Sequence, residues 1–132
     1  MMRFLRRAEE KNAEMEAGPA LDREIERQVL GVEPAGEVPR YSTQDATAVA
    51  LATRFSRERG WWHFEKREVY GGWSVGWIEE SQPLLVSIQP IRASGPTRAL
   101  AICRSLLKVA RDLHSRPDGG ARRLDRPAPL RL

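Results

Sequence analysis

The chain has 132 residues, 41% of them apolar, 7% aromatic and 30% charged, which leaves room for one modest core and excludes a multidomain machine. No stretch approaches the roughly 18 apolar residues of a membrane helix, and the lone Cys103 excludes an intramolecular disulfide and a cysteine-based zinc site. The net charge of +4 does not mark a basic face: residues 1–20 hold four basic and four acidic groups, residues 21–114 thirteen and twelve, and residues 115–132 five and two, so the excess belongs to the C-terminal tail.

Residues 1–20 are charge-dense, and Phe4, Leu5 and Met15 make no apolar stripe, so this stretch is expected to be a frayed extension. The basic run Met1–Arg7 is followed by Glu9-Glu10 where the apolar region of a leader would stand. A cytoplasmic protein is expected. The first helix is predicted over Leu21–Leu30, where Leu21, Ile25 and Val29 recur at spacing four and Gly31 supplies the stop. Pro34, Gly36 and Pro39 then mark a loop. Ser42 is expected to cap a second helix, with Asp45 three residues on as a weak capping box. Ala48, Leu51, Ala52 and Phe55 line that helix, and Gly60 closes it.

After Gly60 the period changes to two. Trp61–Lys66 reads as a strand with Trp62 and Phe64 on one face and Trp61, His63 and Glu65 on the other. Gly71-Gly72 offers the positive φ values of a hairpin turn, and Trp73, Val75 and Trp77 alternate with Ser74, Gly76 and Ile78. A polar turn over Glu79–Pro83 leads to a third strand at Leu84–Gln89, which Pro90 ends. The last helix is predicted over Pro96–His114, with Ala99, Ile102, Cys103, Leu106, Ala110 and Leu113 in one stripe. Residues 115–132, rich in Arg, Pro and Gly, are expected to be a disordered tail.

These elements predict an α+β domain over residues 21–114 in the order α-α-β-β-β-α. The expected architecture is a three-layer α-β-α sandwich, with a three-stranded antiparallel meander covered by helices on both faces. Apolar side chains on both sides of the strands, Trp61 opposite Trp62 and Leu84 opposite Leu85, motivate the two-sided cover.

The same order resembles the phage α-β-α sandwich domain, a family of small proteins encoded by phages and prophages. The matching residues run from Leu21-Asp22-Arg23 and Val29-Leu30-Gly31 through Tyr41-Ser42-Thr43 to Arg59-Gly60-Trp61-Trp62 and Phe64. They finish with Ala99-Leu100-Ala101-Ile102-Cys103 and Leu106-Leu107-Lys108. The match covers about residues 21–114; Glu65–Tyr70 and Glu79–Pro83 do not align with the family. The resemblance implies a setting inside a bacterial host cell. It implies no reaction, because the family carries no established catalytic residues.

The four tryptophans are the strongest chemical feature. Core packing is the first use a small domain has for them, since each can bury about 150–250 Å². The rival use is a stacking platform built from Trp61, Trp73 or Trp77. With His63 on the face of Trp61, these four residues are the candidate interaction site. His63 as a general base would need Glu65 to orient it, and a strand histidine beside a glutamate is the simpler expectation. His114 suits the C-terminal end of a helix dipole, and Cys103 on the apolar stripe reads as a small buried hydrophobe. Gly71-Gly72-Trp73 and Gly95-Pro96 lack the Lys and Ser/Thr of a phosphate loop, and Glu79-Glu80 has no further ligand nearby for a metal.

No catalytic residue, metal or cofactor is therefore expected. The first functional expectation is a non-enzymatic accessory protein of a phage or prophage, binding a protein of the host or the phage, with self-association into a homo-oligomer allowed. The alternative is a nucleic-acid or nucleotide binder using exposed tryptophan with Arg67, Arg92 and the arginine-rich tail. Arg116, Arg122, Arg123, Arg126 and Arg131 are expected to give weak, non-specific and salt-sensitive contact with nucleic acid through the tail.

Overall fold

The computed structural model describes residues 15–80 and 89–116. Helix α1 (Pro19–Glu24) runs without a break into a π-helical turn over Ile25–Val29, which the Leu30 N–H closes onto the Ile25 carbonyl at 3.1 Å. An α-helix turns every 3.6 residues, so side chains four apart drift around it. The wider π turn brings them back into line. Leu21, Ile25 and Val29 accordingly all face inward, at most 4% exposed. Pro19 occupies the first turn, where no N–H is needed, so the helix starts two residues before the expected Leu21. Met15 packs against the core as well, which places the last residues of the expected extension inside the domain. Residues 1–14 lie outside the described residues.

Helix α2 (Asp45–Arg59) buries Ala48, Leu51, Ala52 and Phe55, as its spacing predicts. Gly60 ends it at φ 73° and ψ 44°, a left-handed conformation that favours glycine. The expected cap does not form: Gln44 stands at the cap position and no side chain bonds there. Ser42 is turned back toward the first helix instead. Its hydroxyl accepts from the Gly18 N–H at 2.9 Å, and its own N–H donates to Asp22 Oδ1 at 2.8 Å. Asp22 and Ser42 are both buried, and burying two such groups is tolerable only because they satisfy each other. Beside them Tyr41 donates its hydroxyl to Glu26. The segments Leu21-Asp22-Arg23 and Tyr41-Ser42-Thr43, twenty residues apart in sequence, thus meet in one polar knot.

Strands β1 (Trp61–Arg67), β2 (Trp73–Glu79) and β3 (Ile91–Gly95) form an antiparallel meander in the order β1-β2-β3. Gly71 and Gly72, at φ 95° and 90°, turn the hairpin and fix the register Arg67↔Trp73 through Trp61↔Glu79. The third strand differs from expectation. Positions 84–88 of the expected strand fall outside the described residues, and β3 follows Pro90 rather than ending before it. Proline is tolerated just ahead of a strand, where no ladder N–H is required. Ile91 and Ala93 point inward while Arg92 and Ser94 point out, a short alternation that Ala, Ser and Gly disguise.

Helix α3 (Arg98–Ser115) is the centre of the molecule, with eleven buried residues around most of its circumference. It starts two residues after the expected Pro96, with Thr97 as its cap: Thr97 Oγ1 accepts from Leu100 N at 3.2 Å. Asp45 contributes a second cap from α2 by accepting from Ala99 N at 3.1 Å. Helix α3 packs on β3 and β2 on one side and on the π turn on the other, and α2 packs against α3 and β1.

The α+β class, the order α-α-β-β-β-α and the three-stranded antiparallel meander are those the sequence predicts. Among the described residues the two-sided cover is not seen: α2 and α3 both meet Trp77 on one face of the sheet, through Phe55 and Ser105, and the π turn that follows α1 packs on α3. The reason is that α3 is apolar nearly all round, so it draws a helix to each of its flanks before the sheet's second face finds one.

Replacing Asp22 with alanine leaves the Ser42 N–H buried without a partner, and we expect a loss of about 1–3 kcal/mol. Asp22→Asn keeps an acceptor and should lose less. Urea unfolding of both variants measures this; equal losses would show that the knot is not held by this bond.

Candidate functional site

The hairpin register sorts the sheet's side chains into two sets. On the covered face stand Trp61, His63 and Glu65 of β1, Trp73, Val75 and Trp77 of β2, and Ile91 and Ala93 of β3. All four sequence-predicted residues therefore share one face, and it is the face under the helices. Trp77 is fully buried at its centre. Its indole N–H donates to Ser105 Oγ of α3 at 2.8 Å, and Ser105 passes the chain on to the Ile102 carbonyl at 2.7 Å. Phe55 of α2 meets the Trp77 ring edge-on at 5.4 Å, and His63 stacks on it at 4.9 Å.

His63 Nε2 lies 3.2 Å from Glu65 Oε2, and the other oxygen of Glu65 accepts from Arg98 Nε at 2.6 Å. Trp73 sits between two guanidinium groups, Arg67 at 5.7 Å and Arg98 at 5.6 Å from its ring centre. Trp61, 3% exposed, lies under Arg116, whose guanidinium also holds Glu79 at 2.8 Å and Asp112 at 2.7 Å. Burial opposes the charge on Arg116, but the two carboxylates more than offset it and hold its pKa above the ordinary value. Arg116 thus belongs to the domain and not to the tail expected from residue 115; residues 117–132 lie outside the described residues. Chemically this face is a packed lattice of rings and ion pairs. It clamps the sheet to the helices and leaves Trp61 and Trp77 no surface to offer a partner.

The opposite face carries Trp62, Phe64 and Lys66 of β1, Ser74, Gly76 and Ile78 of β2, and Arg92 and Ser94 of β3. Trp62 is 48% exposed and Phe64 38%. The Phe64 ring reaches across its partner strand onto Gly76, where an added Cβ would collide with it. Arg92 continues the row, with its guanidinium 5.5 Å from the Phe64 ring centre. No strand residue of this face is acidic. The two glutamates within β1 and β2, Glu65 and Glu79, point the other way, and each is paired to an arginine.

The candidate platform residues Trp61, Trp73 and Trp77 are therefore placed by the structure in or against the core, while Trp62 and Phe64 are the aromatics presented outward. A signal existed. The glycine turn pairs odd positions of β1 with odd positions of β2, and those hold Trp73, Val75 and Trp77 against the even set's Ser74 and Gly76. The richer face is the one that a single helical layer covers.

Among the described residues no group of three or more His, Cys, Asp or Glu stands together to hold a metal, and no helix is long and apolar enough to cross a membrane. Compared with known protein families, with curated proteins and with solved structures, the chain matches none.

Two buried acids give the covered side a pH signature. Burial pushes the Cys103 thiol well above its ordinary 9.0, with Asp22 adding to the shift. Burial and the bond to Glu26 push the Tyr41 phenol above its ordinary 10.0. The folded chain keeps both protons where the unfolded chain has lost them. That stability is complete below about pH 9 and declines as pH rises from there. We expect the urea midpoint to fall above about pH 9, and Cys103 to react with a disulfide reagent only once the protein is unfolded. Full thiol titration of the native protein at neutral pH would contradict this.

Proposed function

We propose that this chain is a non-catalytic binding module of the kind that phages and prophages encode, acting in the cytoplasm of a bacterial cell through the open face of its sheet. One observation carries the reading. A domain that buries Trp61 and Trp77 almost completely leaves Trp62 and Phe64 exposed side by side, at 48% and 38%. Contiguous apolar surface left in water marks a site of contact more often than an accident of packing. The element order and the meeting of the Asp22 and Ser42 segments support the phage kinship. The single-sided cover departs from what that kinship implies, and a partner on the open face would supply the missing layer.

The absence of a reaction rests on what the polar groups already do. His63 is stacked on Trp77 and bonded to Glu65, and Cys103 is a buried, protonated thiol. Each is used in holding the fold, and none is poised over an open site.

A protein partner, the first expectation from the sequence, is favoured at a different place. The hairpin tip presents Val69 and Tyr70, 86% and 100% exposed, as an apolar knob that a groove on another protein fits.

A photo-crosslinking residue placed at position 62, at 70, or at the exposed Thr53 of α2 tests these surfaces in bacterial lysate. We expect discrete adducts from position 62, and none from 53. Adducts from 70 and none from 62 would move the recognition surface to the hairpin tip.

A further inference from the structure

Taking the open face as the binding surface, we infer that its occupant is single-stranded nucleic acid, with bases stacked on Trp62 and Phe64 and phosphates met by Arg92 and Lys66. The inference rests on the preceding reading of that face and names its ligand.

Charge is the first argument. The sheet segregates its charges: Glu65 and Glu79 face the helices and are neutralised there by Arg98 and Arg116. Lys66 and Arg92 stand on the open face with no ion-pair partner among the described residues. Uncompensated cations beside exposed rings call for a ligand that is anionic and flat, and a nucleotide strand has both properties. A second copy of the chain fits poorly, because its matching face carries the same Lys66 and Arg92 and no strand acid to pair with them.

Spacing is the second argument. Trp62 and Phe64 are same-face neighbours on one strand, so their Cα atoms are about 6.6 Å apart. That is about twice the 3.4 Å step of a stacked strand. Bases resting on the two rings are drawn apart, which a single strand permits and a duplex does not. Gly76 lets the Phe64 ring lie across β2, and Arg92 extends the row with a guanidinium plane on which a further base can stack. Ser74 and Ser94, cross-strand partners, add hydroxyls that can bond base edges or phosphate.

The test is anisotropy of the full-length protein with a labelled oligothymidylate, its RNA counterpart and a duplex of equal length, over about 50 to 200 mM salt. Single strands should bind more tightly than the duplex, and the two single-stranded arms show whether the sugar matters. Trp62→Ala and Phe64→Ala should each weaken binding by roughly tenfold, while Trp62→Phe retains most of it. Arg92→Ala should flatten the salt slope by about 0.7, the share of one phosphate contact on a single strand. Unchanged melting temperatures would show that these exposed substitutions spare the fold.

Binding that survives Trp62→Ala and Phe64→Ala but is lost with Arg122→Ala and Arg123→Ala belongs to the tail and overturns the inference. So does the absence of any oligonucleotide binding. Nuclease-resistant protein adducts, or adducts to a second copy, from a crosslinker at position 62 would overturn it too, while leaving the open face as the recognition surface. No adduct of any kind from position 62 would remove both.

Discussion

The bond from the Trp77 indole to Ser105 is the point on which this fold turns. Trp77 lies on the central strand and Ser105 on the central helix, so one contact pins the middle of the sheet to the middle of the helix. A buried tryptophan requires a partner for its N–H, and a serine inside a helix tends to bond the carbonyl of the preceding turn. Ser105 does both, accepting from Trp77 and donating to the Ile102 carbonyl. With that geometry set, Phe55 closes over the ring from α2 and His63 from β1. The aromatic cluster and the hydrogen bond specify one packing where an all-aliphatic core of this size would admit several.

A second polar contact governs the other end of the molecule. Helix α1 is carried on α3 by the π turn that continues it, and an amphipathic segment this short would slide on a smooth apolar helix. Asp22 prevents that by accepting from the Ser42 backbone, which anchors α1 to the start of α2. Arg104 works in the same way along the far edge. Its position on α3 suggests solvent, yet it bonds the carbonyls of Met15 and Ser94 and is mostly buried. Three side chains, Asp22, Ser105 and Arg104, thus tie segments that apolar packing alone would leave free to shift.

Much of the fold was legible because periodicity is a strong signal where one face is buried. The stripes of α2 and α3, the alternation of β1 and β2, and the glycine turn between them all stand where the sequence puts them. What escaped had other physical grounds. Strand β3 is held by its neighbours and not by propensity, since Ala93, Ser94 and Gly95 do not announce a strand. Ser42 has the sequence of a helix cap and the environment of a tertiary contact. Arg116 follows a helix with the composition of a tail, but Glu79, thirty-seven residues away, recruits it. Local signals cannot report partners so distant. The candidate site fell between these cases. Opposite faces for Trp61 and Trp62 follow from the chain alone, but the choice of buried face depends on where the helices settle.

That choice has a structural logic which links stability to recognition. Strand β2 places Trp73, Val75 and Trp77 on one side and Ser74 and Gly76 on the other, so its large side chains all serve the core. Glycine in a central strand weakens it, and a residue with a Cβ at position 76 would meet the Phe64 ring. The ring itself restores cover to the bare backbone, and Gly76 becomes buried beneath it. Phe64 therefore shields its own sheet and at the same time is held down into a shallow surface. An aromatic standing free on a strand would be mobile and costly to order on binding. Seated on Gly76 and flanked by Arg92, it is already ordered before a partner arrives. The glycine that looks like a defect in the strand is what sets the shape of the open face.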